Sequence, residues 1–376
     1  MSTRLVCDKS KCCACGACVN VCPKQCITLM DDVKNTYAEV NEDLCINCHL
    51  CEKVCQVENT SSELLKLNTT ISCKEGISKN NEVVKTASSG GFATQLGIKF
   101  AETGGYVVGV KSDKEDFYFD ITNNPDEVIK FAGSKYVKVS TGDIFTRVKD
   151  LLSNGHKVLF FGTPCQVAAI KLYMVRPQEN LYTVDLICHG TPSNKTLKKY
   201  LSEKGITSEA NVRFRDKRSI GIQMFTSKDG KGLAGDRICD PYMIGFLNGL
   251  FYTENCYSCN YAKRDRVSDL TMGDSWGSKR EDNKGMRAFS LTIISTEKGK
   301  FLFEILGDTF ECYDCDYENA IAHNHQLVHS SNKQPYTDYY YENYEKKSMK
   351  KLVKKAYPKQ YYKQYVKKVL IALRLK

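Results

Sequence analysis

Two cysteine runs fix what the N-terminal part of this chain can fold into. The first is Cys12-x2-Cys15-x2-Cys18-x3-Cys22, followed by Pro23; the second is Cys45-x2-Cys48-x2-Cys51-x3-Cys55. Two residues between thiolates let one loop wrap three corners of an iron–sulfur cube, and the fourth thiol lies where the chain turns into a helix and reaches the other cube. That crossing assigns Cys12, Cys15, Cys18 and Cys55 to one 4Fe–4S cluster and Cys45, Cys48, Cys51 and Cys22 to a second. Paired zinc knuckles are the alternative, but zinc has no use for a third and fourth thiol at these intervals. Each half is too small to fold without its metal. The runs predict a module over residues 1–60 that moves single electrons.

Composition narrows the setting. The chain has 376 residues, 42% of them apolar, enough for a large core and two to three domains. Its N-terminus is polar, without an apolar signal-peptide stretch, and no apolar run approaches the length of a membrane span. Nineteen cysteines in an exported protein would suggest disulfides; with cluster spacing and no export signal they point to a reducing cytoplasm. The net charge of +10 is a tail property, because residues 345–376 carry eleven Lys, one Arg and one Glu. The remainder is close to neutral, which removes the support for nucleic-acid binding.

Beyond the module, residues 61–81 are polar and read as a linker. A body then alternates strands and helices in two halves, 82–160 and 161–330, before a basic Lys/Tyr-rich tail at 331–376. Expected helices include 92–102, 143–152, 166–173, 193–204 and one around 242–250; expected strands include 106–111, 157–161, 181–187, 212–215, 223–227 and 289–295. This alternation predicts an open α/β sheet behind an α+β cluster module.

A third metal site is expected inside that body. Cys165, in Gly162-Thr163-Pro164-Cys165-Gln166, follows one strand, and Cys188, in Ile187-Cys188-His189-Gly190, follows another. If both strands are parallel, both thiols emerge at the carboxyl edge where open α/β sheets bind ligands. Thr163 and Pro164 read as the cap and first residue of a helix whose N-terminal field favours a Cys165 thiolate. Cys256-x2-Cys259 supplies two further corners for a third 4Fe–4S cluster. Structural zinc and plain buried thiols are the competing readings. Cys312 and Cys315 are read as packing; Cys7, Cys13, Cys26, Cys73 and Cys239, without spacing partners, are read as non-ligands.

Clusters carry one electron and most organic substrates exchange two, so a flavin is the expected converter. Ser88-Ser89-Gly90-Gly91 opens a helix and offers backbone N–H groups to a pyrophosphate. Gly133-Ser134-Lys135-Tyr136 offers a cation and an aromatic surface, and Gly273-Asp274-Ser275-Trp276-Gly277 places the single Trp beside the third cluster site. No GxGxxG occurs, which disfavours a Rossmann dinucleotide site.

Taken together, Gly162–Gln166, Asp185-Leu-Ile-Cys-His-Gly-Thr-Pro-Ser193, Cys256-x2-Cys259 and Asp269-Leu-Thr-Met-Gly-Asp-Ser-Trp-Gly277 resemble the beta-subunit family of the deazaflavin (coenzyme F-420) hydrogenases and dehydrogenases. Ser89-Gly90-Gly91 and Gly133–Tyr136 resemble its N-terminal half, and the N-terminal runs resemble a bacterial-type double-cluster ferredoxin. The resemblance implies FAD, a 4Fe–4S cluster on Cys165, Cys188, Cys256 and Cys259, and a flavin near Ser89, Gly90, Gly91, Ser134, Lys135 and Tyr136. Gly162, Thr163, Asp274 and Trp276 are the remaining cofactor-side candidates. Two departures stand out: Gln56 follows Cys55 where Pro23 follows Cys22, a small change, and the basic tail has no counterpart in the hydrogenase subunits.

Among the histidines, His189 is the candidate proton donor, His49 sits between cluster ligands, and His325 and His329 are spaced as an i, i+4 pair. In the tail, Tyr361, Tyr365, Val369 and Leu373 fall on one helical stripe, a candidate for anionic lipid or for a partner, with a solvated basic helix packed on the body as the alternative. The functional expectation is an iron–sulfur flavoprotein oxidoreductase exchanging electrons between ferredoxin-type clusters, FAD and a small-molecule two-electron acceptor or donor. Its protein partner would be a ferredoxin, flavodoxin or other redox protein. The rival is a relay subunit without its own substrate. A cluster-bearing regulator, which would hold no flavin, is a third reading.

Overall fold

The computed structural model describes residues 2–206, 211–215, 225–228, 231–232, 240–283 and 288–373. The N-terminal module is a three-stranded antiparallel sheet in the order Thr3–Leu5, Thr36–Asn41, Ile27–Asp31, carrying short helices at Ala17–Val21 and Leu50–Lys53. Its two cysteine loops repeat one backbone pattern. Ala14 and Gly16 in the first loop, and Asn47 and His49 in the second, all adopt positive φ. Left-handed residues at matched positions curl each loop so that its thiols face one centre.

The body is built on an eight-stranded sheet. In spatial order its strands are Phe310–Asp314, Ser72–Ser78, Ser290–Ile294, Leu270–Asp274, Leu181–Leu186, Val158–Phe161, Tyr106–Asp113 and Asp116–Thr122. The four strands from Leu270–Asp274 to Tyr106–Asp113 are mutually parallel, and antiparallel strands extend the sheet on both sides. Strands from both expected halves of the body share this sheet. The helix Phe92–Glu102 buries Phe92, Leu96 and Phe100 on its sheet side, a 3.6-residue period legible in the sequence. The architecture is an α+β cluster module followed by an open α/β body.

The stretch 61–81 is not a plain linker. Its second half forms the strand Ser72–Ser78, paired on both edges, followed by the helix Asn81–Thr86. Lys74 and Glu75 hid that strand among polar residues; Glu75 is nonetheless buried and accepts hydrogen bonds from Ser275 and Ser278. Much of the tail is also core. Tyr340, Met349, Leu352 and Val353 are buried, Met349 N donates to Glu203, and Tyr344 Oη donates to Lys195 O at 2.7 Å. The onset of the expected strand 223–227, and Cys239, lie outside the described residues.

The module docks on the body through specific bonds. Thr141 Oγ1 donates to Cys15 O at 2.9 Å, Asn20 Nδ2 to Gly142 O at 2.6 Å, and Ser193 Oγ to both Asp31 carboxylate oxygens at 2.7 and 2.8 Å. All three hold the first cysteine loop and its flanks against the sheet's carboxyl edge.

Candidate redox site

Three groups of thiols line up across the molecule. Cys12, Cys15, Cys18 and Cys55 surround one pocket, and Cys22, Cys45, Cys48 and Cys51 surround another. Each pocket holds thiols the sequence reading had set aside. Cys7 contacts Cys12 and Cys55 in the first, and Cys26 lies 3.5 Å from Cys22 in the second. The hydrogen bond from Cys7 draws the Cys12 thiol down to about 6 against the opposing pull of burial. Each pocket is ringed by the four thiols that a cube takes, so both fit the group their spacing predicts.

The third group forms at the body's edge. Cys165 stands in the first turn of the helix Pro164–Tyr173, just past the strand Val158–Phe161, and Cys188 just past Leu181–Leu186. Those strands are parallel neighbours, so both thiols emerge at one end of the sheet. Cys188 lies within the electrostatic reach of Cys165, Cys256 and Cys259; its burial is the main force raising it well above the ordinary thiol range. Cys165 is drawn down to about 6, first by a hydrogen bond from Cys13 and, against desolvation, by the Thr163 hydroxyl at 3.2 Å. The four thiols come from three separate segments, and a cluster fits their donor set. Cys312 is exposed on the far edge strand, and Cys315 contacts Cys73 instead.

Arg266, which the sequence reading passed over, fixes the loop carrying Cys256 and Cys259. It is 2% exposed and pairs with the fully buried Asp185 at 3.1 Å. It also donates to Thr271 Oγ1 and to the carbonyls of Tyr261, Lys263 and Leu186. Nη1 thus holds the carbonyls that follow Cys259, Nη2 holds the strand that ends before Cys188, and Nε holds Thr271 of the neighbouring strand.

Beside the third group lies a cluster of polar side chains. Asp274, at the end of the strand Leu270–Asp274, receives Arg215 Nη1 on both oxygens at 2.7 Å. Arg215 also reaches the Tyr136 hydroxyl, and Tyr136 stacks on Phe246 at 4.4 Å. His189 Nδ1 lies 2.8 Å from Gln326 Nε2; burial, then His325, lowers His189 to about 4. Gln326 Nε2 also lies 2.6 Å from His325 Nε2, whose ring packs on His329.

The remaining flavin candidates separate. Ser134 N donates to Ser88 Oγ at 2.8 Å, so the two loops meet. Lys135 donates to the carbonyls of Phe131 and Ala132, has no carboxylate partner among the described residues, and is pushed down to about 7 by desolvation, with Arg213 adding to it. An anion fits that cation. Gly90 has another explanation: a Cβ there would lie 2.2 Å from Gly76 O and 2.7 Å from Ser290 N. Gly91, at φ +83°, caps the helix, and Ser89 Oγ bonds Ser290 Oγ at 2.9 Å. Gly162 packs on Phe160, Thr163 forms a capping box with Gln166, and Trp276 is 45% exposed.

Comparison with known proteins agrees with this anatomy. Residues 11–59 match a 4Fe-4S dicluster domain. Residues 73–144 match the N-terminal part, and residues 155–311 the C-terminal part, of the coenzyme F420 hydrogenase/dehydrogenase beta subunit. An uncharacterized ferredoxin of Methanocaldococcus jannaschii is 31% identical over 67 residues, 18% of this chain and 83% of that protein. A chain in a solved structure of the F420-reducing nickel–iron hydrogenase complex of Methanosarcina barkeri aligns with a TM-score of 0.48 at 17% identity, covering 73% of this chain and 99% of that one. The chain belongs to the coenzyme F420 hydrogenase/dehydrogenase beta-subunit family, an iron–sulfur electron-transfer family, with a dicluster ferredoxin domain at its N-terminus.

Proposed function

We propose that this chain is an iron–sulfur flavoprotein oxidoreductase that passes electrons between its ferredoxin module and a two-electron organic acceptor or donor. The convergence of Cys165, Cys188, Cys256 and Cys259 on one sheet edge, against the first thiol pocket on one side and the polar residues Tyr136, Arg215, Asp274 and His189 on the other, carries this reading. These four residues would hold a third 4Fe–4S cluster. Lys135 would take a flavin phosphate, with Tyr136, Ser134 and Ser89 beside it. When bound, the clusters supply single electrons and FAD pairs them. The chain's own part is to hold the Arg215–Asp274 pair beside the third thiol group, with His189, next to Cys188, as the candidate proton donor.

Anaerobic purification with iron, sulfide and flavin quantitation tests the reading: about twelve irons and one FAD per chain are expected if all three thiol groups hold four-iron cubes. A colourless protein, or one loaded with zinc, overturns it. Reoxidation of the reduced protein by a small molecule, without any added protein, separates this reading from a relay subunit lacking its own substrate. Lys135 gives a further check. Its lowered protonation range means that binding an anion draws a proton onto the amine, so flavin affinity should fall as pH rises above about 7. Lys135→Met should weaken flavin binding and flatten that dependence.

No helix among the described residues is long and apolar enough to cross a membrane. The last helix, Pro358–Ala372, exposes Tyr365, Val366 and Val369 among its lysines, which supports contact with an anionic membrane surface. Cosedimentation with phosphatidylserine vesicles but not phosphatidylcholine vesicles is the expected result.

A further inference from the structure

The small departure at Gln56 joins two of the thiol groups. Gln56 is 4% exposed, and its Nε2 donates to Cys13 Sγ at 3.2 Å and to Cys165 O at 2.6 Å. Cys13 in turn contacts the thiols of both Cys15 and Cys165. Cys15 belongs to the first pocket and Cys165 to the body's group, so one side chain and one thiol span the gap between them. Lys138 closes the same junction from below: its Nζ donates to Cys13 O at 3.3 Å and to Asn255 Oδ1 at 3.2 Å, next to Cys256.

The second pocket has none of this. The position matching Cys13 there is Ile46, 56% exposed, and the position matching Gln56 is Pro23, which has no carboxamide to donate. Pseudosymmetric cysteine spacing thus surrounds two different contacts, and the residues that differ are those at the junction with the body.

We infer that Cys13 and Gln56 are positioning residues that wire the first ferredoxin pocket to the third thiol group, leaving the second pocket as the outer end of the relay. This rests on the reading that all three thiol groups hold 4Fe–4S clusters. The step at the junction is a one-electron exchange: the first pocket is oxidised by one electron as the third group is reduced by one, with no bond made or broken and no proton moved. In the test the electron comes from dithionite.

The test uses the anaerobically reconstituted full chain and the variants Cys13→Ala, Cys13→Ser and Gln56→Leu, with Ile46→Ala as the matched change in the second pocket. Iron content, the EPR spectrum of the dithionite-reduced protein and freeze-quenched electron equilibration are measured. Cys13→Ala and Gln56→Leu should each keep about twelve irons. They should alter the magnetic coupling between clusters and slow equilibration about tenfold, equivalent to ~1.4 kcal/mol at the barrier. Cys13→Ser should fall between these and the parent, and Ile46→Ala should match the parent. Parental spectra and rates in both Cys13→Ala and Gln56→Leu would overturn the inference. So would loss of about four irons in Cys13→Ala, which would make Cys13 a ligand. A parent chain holding only about eight irons would instead sink the three-cluster reading itself, so the two failures are told apart by the parent's iron count.

Discussion

The two ferredoxin pockets share their spacing and backbone but not their surroundings. In the first loop, position 16 is Gly, because a Cβ there would lie 2.1 Å from Thr141 Oγ1 of the body. The matched position in the second loop is His49, whose side chain is 60% exposed and pairs with Glu52. Ala17 is fully buried where Leu50 is exposed, and Cys15 is half-buried where Cys48 is exposed. A duplicated loop has thus been specialised by docking: one copy is covered by the body, the other leaves Cys48 exposed. Identical ligand spacing therefore does not make the two pockets equivalent; what covers each one differs.

That asymmetry predicts that iron leaves the molecule unevenly. Under an anaerobic chelator, a fast phase of about four irons from the second pocket should precede slower loss of the rest. Hydrogen exchange of residues around 42–54 should quicken in the same phase. A single phase for all the iron would break the comparison. Next in size is the cost of disturbing the inner end. Arg266→Met leaves Asp185 buried without its cation and should lower stability by about 3–5 kcal/mol, read from the denaturant midpoint, with the third thiol group losing metal first. Smaller again is Gly16→Ala. It places a methyl against Thr141 at a positive φ and should cost about 1–3 kcal/mol. His49→Ala, at the matched outer position, should stay within about 0.5 kcal/mol.

What the sequence made legible follows from locality. Cluster spacing is written in consecutive residues, and helices such as Phe92–Glu102 and Pro164–Tyr173 carry their own periodicity and caps. The convergence of Cys165 and Cys188 was readable because both follow strands, and parallel strands end on one side. The strand Ser72–Ser78 was not, since its buried Glu75 is satisfied by Ser275 and Ser278, two hundred residues away in sequence. Arg266, Cys13 and Gln56 were missed for the same reason. An arginine after a Cys-x2-Cys pair reads as a solvated loop, and a glutamine in place of a proline as noise, until the fold brings Asp185 and Cys165 alongside. Cys7 and Cys26 lack spacing partners, yet the module's small sheet carries each into a pocket.

The smallest expected effect tests whether the two ends also differ electrically. At the outer end Arg4 Nη2 lies 3.9 Å from Cys45 Sγ and Arg4 Nη1 lies 3.2 Å from Glu52, with both side chains partly open to solvent. At the inner end Lys138 is half-buried and its charge acts on both Cys12 and Cys165. A cation near a cluster favours the reduced, more negative state, so removing either should lower a reduction potential. Water and salt screen the outer charge. Arg4→Ala should therefore change stability by at most about 1 kcal/mol and lower one potential by roughly 10–40 mV, an effect that fades as salt rises. Lys138→Met should lower two potentials at once, by more, and with little dependence on salt. EPR-monitored redox titrations at low and high ionic strength would read both. Equal shifts with equal salt dependence would mean that docking shields the first pocket sterically but not electrostatically, and the difference between the two ends would then lie in the contacts of Cys13 and Gln56 alone.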